Sequence, residues 1–250
     1  MKDLVIAELY KFKKKNIFLF VVLFNVVSLI YALGAKFNWG WVNINGKYDL
    51  IQYVGAIWQL LFLLGLPMIF LLFNGANILG GEKAAGQILL EVTRAADRKK
   101  LISAKIISTI ILTVTYFVSN IVFSCLSYML FIKSSQYGSS KTIIFNDDNI
   151  ELITTCLFGL VFIIILIIAV MRISINYGAI PSTLIGIGIY AVSMLISKIA
   201  VVNTFLPGYY ALSQTAQISS STTIKQIIVS IIFITGIVAS CRKRLPKIDL

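Results

Sequence analysis

This chain offers chemistry few residues to work with. Its 250 residues include no histidine, 22 Lys and Arg, ten Asp and Glu, and three cysteines. Without imidazole the commonest general base and metal ligand is missing, so Ser-His triads and the usual zinc sites are excluded, and no catalytic or metal-binding set is expected. Cys125, Cys156 and Cys241 fall in or at the end of apolar stretches, an odd number of thiols that argues against a disulfide framework. The phosphate cradle G-x-x-x-x-G-K-[ST] is absent too, because the only Gly-Lys pair, Gly46-Lys47, is followed by Tyr48. If ATP drives this chain, a separate polypeptide must bind it.

Contact chemistry is another matter. The run Gly80-Gly81-Glu82-Lys83-Ala84-Ala85-Gly86-Gln87-Ile88-Leu89-Leu90-Glu91 continues through Arg94, Arg98, Lys99 and Lys100 to Lys105. Ile88, Leu89 and Val92 can share one face of a short helix, with Glu91 and Arg94 projecting elsewhere, a pattern suited to docking on a soluble partner. Gly86 would permit close backbone approach, and Glu82 would cap the helix or pair with a basic group. A positively charged loop that only fixes topology has the same composition. At the start of the chain, Val5, Ile6, Leu9, Tyr10 and Phe12 share one helical arc, and Asp3, Glu8, Lys11, Lys14 and Lys15 share the other. That pattern predicts an amphipathic helix in the membrane interface; a basic anchor for the first crossing and a cleaved signal peptide ending near Ala32-Leu33-Gly34 are the alternatives.

The elements that must position these residues are membrane helices. A hydrophobic content of 58%, a charged content of 13% and a mean hydropathy of +0.92 lie outside the range of soluble domains. Six stretches meet the length of a bilayer crossing: Asn16 to Ala35, Ile51 to Ile78, Ala104 to Ile132, Ile150 to Met171, Gly178 to Val201, and Ile224 to Cys241. The expected fold is therefore all-α and polytopic, a single domain over 1–250 with no soluble nucleotide-binding domain. With both termini cytoplasmic, sixteen of the 22 Lys and Arg fall inside, as the preference of basic loops for the cytoplasm requires. The net charge of +12 then reads as loops facing anionic lipid, not as a nucleic-acid surface.

Asp and Glu are missing from the middle of every crossing, which disfavours proton-relay coupling. Neutral amides such as Asn25, Gln59, Asn74 and Asn120 either line a path or bond neighbouring helices. Gly178, Ser182 and Gly186 recur at a spacing of four, so the fifth crossing is expected to pack closely on another helix, in a permease dimer or within one bundle. Between the fifth and sixth crossings, Pro207-Gly208-Tyr209-Tyr210 and Ser219 to Thr223 predict a turn and a flexible tip, with a short helix between them.

At Glu82, Gly86, Ile88 to Leu90, Arg98 and Lys105 the sequence resembles the type-2 permease family of ABC transporters. The start Ala7-Glu8-Leu9-Tyr10-Lys11-Phe12-Lys13-Lys14 is similar to that family's interfacial elbow helix, especially in its lantibiotic and peptide-antibiotic immunity branch. Gln87 stands where Thr is frequent, and Ala95-Ala96 lacks the frequent Pro. The resemblance implies a permease paired with a second copy or a homologous permease and with two ATPase subunits, which bind the ATP and Mg. It implies export of amphipathic or antimicrobial peptides across a bacterial plasma membrane. Lipids and hydrophobic drugs are alternative substrates, and a non-transporting sensor or immunity protein is the alternative of another class.

Overall fold

Backbone amides in lipid must be satisfied within their own segment, so long apolar runs fold as helices. The computed structural model describes residues 1–42, 46–88, 91, 98–199, 202–213 and 218–244, and among these it contains helices and no strand. Helix α1 (Lys2–Lys14) precedes a first crossing made of α2 (Ile17–Leu23) and α3 (Val26–Lys36). Next come α4 (Leu50–Leu64), α5 (Leu66–Ala76), a π-turn at Asn77–Gly81 and a short helix at Glu82–Ala84. The rest comprises α6 (Arg98–Ser127), extended by a π-turn at Tyr128–Ile132, then α7 (Asp147–Tyr177), α8 (Ala179–Ile196), α9 (Tyr209–Leu212) and α10 (Ser220–Arg244). The chain is a multi-pass membrane protein: among the described residues five helical segments, α2 with α3 counted as one, are long and apolar enough to cross, and the bent pair α4 with α5 adds a sixth.

That sixth crossing is not the continuous helix expected over Ile51 to Ile78. The pair is bent by 61° at Gly65, whose φ of +70° ends α4 in the left-handed region. Pro67 then lacks the amide that would have bridged the break. The pair nevertheless traverses the whole bundle. Tyr128 Oη donates to the carbonyl of Tyr48, just before α4, while Glu82, just beyond α5, meets Lys105. Lys105 and Tyr128 lie about 34 Å apart along α6 at the helical rise of ~1.5 Å per residue.

Helix α7 is the central post, packed by α4, α5, α6, α8 and α10. It is buried and apolar around its circumference because Phe162, Ile163, Ile165, Leu166, Ile167 and Ile168 are all buried. Lipid tails are as apolar as leucine, so association of these helices depends on close fit and polar bonds. A Cβ on Gly75 would stand 2.6 Å from Ile167 Cγ2, so α5 and α7 approach only because that atom is missing. Asn25 Nδ2 donates to Ser119 Oγ at 2.6 Å, and Asn120 Nδ2 donates to Asn25 Oδ1 at 3.0 Å, joining the first crossing to α6.

At one end, Asp49 caps α4 by accepting from the Gln52 amide at 2.8 Å, and its other oxygen accepts from Asn149 Nδ2 at 2.6 Å. The segment between α8 and α10 does not stay at this end. Gly208, at φ +83°, lies against Phe162, about 22 Å along α7 from Asp147 at the same rise. Tyr210 and Leu212 of α9 are buried there, so the expected surface turn folds back into the bundle.

Both terminal helices meet α6 at its other end, Glu8 on Lys105 and Arg242 on Ser103, so the two termini share one face. The preference of basic residues for the cytoplasm predicts that this is the inner face. In a cysteine-free background, Lys13→Cys should resist an impermeant thiol reagent applied to intact cells while Ser139→Cys reacts; the opposite pattern would invert the orientation.

Candidate functional site

The inner end gathers residues that lie far apart in sequence. Helix α1 lies along the first turns of α6 and contributes Glu8 and Lys11; α6 contributes Lys105. The end of the second crossing contributes Glu82, and Glu91 comes from beyond Gly86. Lys105 Nζ is 2.9 Å from Glu8 Oε1 and 2.8 Å from Glu91 Oε2, and it also contacts Glu82 Oε2. Lys11 Nζ is 3.0 Å from Glu8 Oε1 and 3.2 Å from Glu82 Oε1, with Glu91 Oε1 as its third contact. Two ammonium groups thus bridge the same three carboxylates.

Burial gives this arrangement its weight. The side chains of Lys105, Glu8 and Glu82 are 1%, 3% and 5% exposed, whereas those of Lys11 and Glu91 reach solvent at the margin. Lys105, Glu8 and Glu82 have left water, and the opposite charges beside them compensate for the lost hydration. Burial pulls the Lys11 ammonium down, but Glu91 and Glu8 outweigh that pull and leave its pKa raised. Burial pushes the Glu91 carboxyl up, but Lys105 and Lys11 outweigh that push and leave it lowered. The Glu91 contribution is present above the ordinary carboxylate range and is lost as pH falls through the lowered value. The Lys11 contribution is present below the ordinary lysine range and is lost as pH rises through the raised one. At neutral pH both are in force.

The three carboxylates lie within 4.8 Å of one another, a spacing that could ligate a cation. Two ammonium groups already bridge them, so the site is an ionic clasp. The surrounding ends are stitched together as well. Lys83 Nζ donates to the carbonyl of Ile175 at 3.0 Å, Arg172 Nε to Ser240 Oγ at 2.9 Å, and Arg242 Nη2 to Ser103 Oγ at 2.9 Å.

The expected site residues are placed unevenly. Glu82 pairs with basic groups, one of its two anticipated roles, and Arg98 is exposed at the start of α6. Gly86 stands open, with nothing within 4 Å of an added Cβ; its φ of +69°, not a close approach, favours glycine. Ile88 does not face outward for a partner but is buried in this chain's own core, and Leu89 and Val92 lie outside the described residues.

In α1 the anticipated arcs are rotated. Glu8, assigned to the wet arc, is buried beside Phe12, while Ile6 and Tyr10, assigned to the apolar arc, are exposed. The buried counter-charge on α6 draws Glu8 inward. Two of the small residues of α8 make contacts inside the chain, as the single-bundle alternative expects: Gly186 faces Val170 and Leu72, and Ser182 is buried. Gly178, at φ +79° and in open space, supplies the turn between α7 and α8.

Sequence reasoning missed the clasp. One signal was present, since three of the chain's four glutamates, Glu8, Glu82 and Glu91, flank predicted crossings on the same side.

No curated protein and no solved structure matches the chain. The family described as ABC-2 family transporter protein matches residues 4–193, a range that includes α1, the clasp and the crossings through most of α8. A permease subunit of this family works with an ABC ATPase and is itself a non-catalytic membrane component. A match over this much of the chain, on a bundle of this architecture, shows that it belongs to the ABC-2 transporter family.

Proposed function

We propose that this chain is the permease of an exporter in a bacterial plasma membrane, moving amphipathic or antimicrobial peptides outward. It works as a pair with itself or with a homologous permease. The segment from Glu82 to Lys105 receives the motion of the partner ATPase, which holds ATP and Mg. The observation that carries this reading is the clasp. Any displacement of Glu82 or Glu91 is felt at once by α1 through Glu8 and Lys11 and by the third crossing through Lys105. A force on the inner segment therefore reaches two membrane-embedded elements through ionic contacts, without deforming the apolar core.

With Ile88 packed inward, docking of the ATPase is assigned to Leu89, Val92 and the exposed Arg98. Leu89→Asp should detach or uncouple the ATPase while leaving membrane insertion intact. The measurement is copurification with the co-expressed ATPase, followed by peptide-stimulated ATP turnover in nanodiscs. Normal binding and stimulation in both Leu89→Asp and Gly86→Trp would remove the coupling role. Stimulation by lipids or hydrophobic drugs but not by peptides would move the substrate to those classes.

A further inference from the structure

A cavity of about 390 Å³ opens near the end of the bundle opposite the clasp, between α4, α7 and the infolded α9. Its volume lies within the range of pockets that hold small ligands, about 300–1,000 Å³. Asp148, Glu151 and Thr155 recur along α7 at spacings of three and four, so one face of that helix forms an anionic wall above a neutral polar group. Across from it, Phe62 of α4 and Leu212 of α9 supply an apolar wall.

Two features set this cavity apart from an ordinary wet crevice. Gln59 lies on the cavity wall nine residues into α4, about 13 Å from the helix start at a rise of ~1.5 Å per residue. Gln59 is exposed and makes no hydrogen bond among the described residues, whereas Asn25 and Asn120 in the first and third crossings donate across helices and Asn74 donates to the Phe70 carbonyl of its own helix. With no partner in the chain's described residues, an amide this far along the crossing is satisfied only by water or by a polar occupant of the cavity. Asp148, in the first turn of α7, also favours the helix dipole. Glu151 lies a turn further on, and neither carboxylate forms an ion pair among the described residues.

The geometry points to a binding site for a cationic amphiphile, with the ammonium or guanidinium of a basic peptide between Asp148 and Glu151. An apolar side chain lies against Phe62 and Leu212, and the peptide backbone bonds Gln59. This rests on the permease reading above and adds a charge requirement to its substrate.

The test uses the full chain in phosphatidylcholine nanodiscs, with empty nanodiscs subtracted. The probes are a dansyl-labelled tetrapeptide amide of Leu, Phe and two Lys, and its counterpart with Gln in place of Lys. The Lys peptide should bind at least about tenfold more tightly than the Gln peptide, and Asp148→Asn with Glu151→Gln should abolish that preference, as loss of two partly exposed ion pairs predicts. Gln59→Leu should weaken both peptides alike. Thermal unfolding of each variant establishes that it is folded, and a second pair, Asp148→Ser with Glu151→Ser, replaces any that is not. Equal affinity for the two peptides, or an undiminished preference in a folded variant lacking both carboxylates, would overturn the site. ATPase copurification, which these variants leave unchanged, reports on the permease reading separately.

Discussion

Lys105→Met should be among the most damaging single substitutions in the chain, lowering stability by about 3–5 kcal/mol, the range for removing one partner of a buried ion pair. The lost ammonium contacts three carboxylates and is 1% exposed, so no water can take its place without opening the packing of α1 on α6. Lys11 would remain as the only cation of the described clasp facing Glu8, Glu82 and Glu91. The measurement is the thermal unfolding midpoint of the detergent-solubilised protein. Adding Glu8→Gln to Lys105→Met should recover part of the loss, because the neutral amide no longer requires a counter-charge. A midpoint for Lys105→Met equal to the parent's would show that the clasp contributes nothing to stability.

Gly80→Leu should be comparably severe for a steric reason. A Cβ at this position would lie 2.5 Å from the carbonyl oxygen of Ser174 and 3.0 Å from the carbonyl carbon of Gly178. Both are backbone atoms, which cannot turn aside as a side chain can. Overpacking ordinarily costs about 1–3 kcal/mol, and a clash against backbone belongs at or above the top of that range. The inner ends of the second and fourth crossings would separate, and with them the Lys83 bond to Ile175. Gly188→Leu on α8 is the matched control, since nothing lies within 4 Å of its added Cβ. Yield of monodisperse protein after detergent extraction should fall sharply for Gly80→Leu and stay at the parent level for Gly188→Leu. Equal yields would remove the close approach as a determinant of the fold.

The crossings were legible because each needs about 20 apolar residues, and that requirement is written into consecutive positions. Their ends were less so. Helix α6 begins at Arg98, earlier than the expected Ala104, and α7 runs to Tyr177, past Met171, because helical hydrogen bonding continues after the hydrophobic run stops. The break at Gly65 was present in the sequence as Gly65-Leu66-Pro67, but the surrounding apolar run hides it from any measure of length. The facing of α1 could not be read from its own arcs. Whether Glu8 faces water or protein depends on Lys105, which is 97 positions away. Likewise the spacing of Gly178, Ser182 and Gly186 predicts a close neighbour but cannot tell a partner chain from α7.

The long sequence separation inside the clasp also imposes an order on biogenesis. Glu8 emerges from the ribosome 97 residues before Lys105. At ~5–20 residues per second, synthesis takes roughly 5–20 s to supply that counter-ion. Until the third crossing is made, Glu8 has Lys11 of its own helix beside it but not Lys105. Nascent chains halted before Lys105 therefore carry an amino-terminal helix that is basic overall but whose Glu8 still lacks its buried counter-ion on the third crossing.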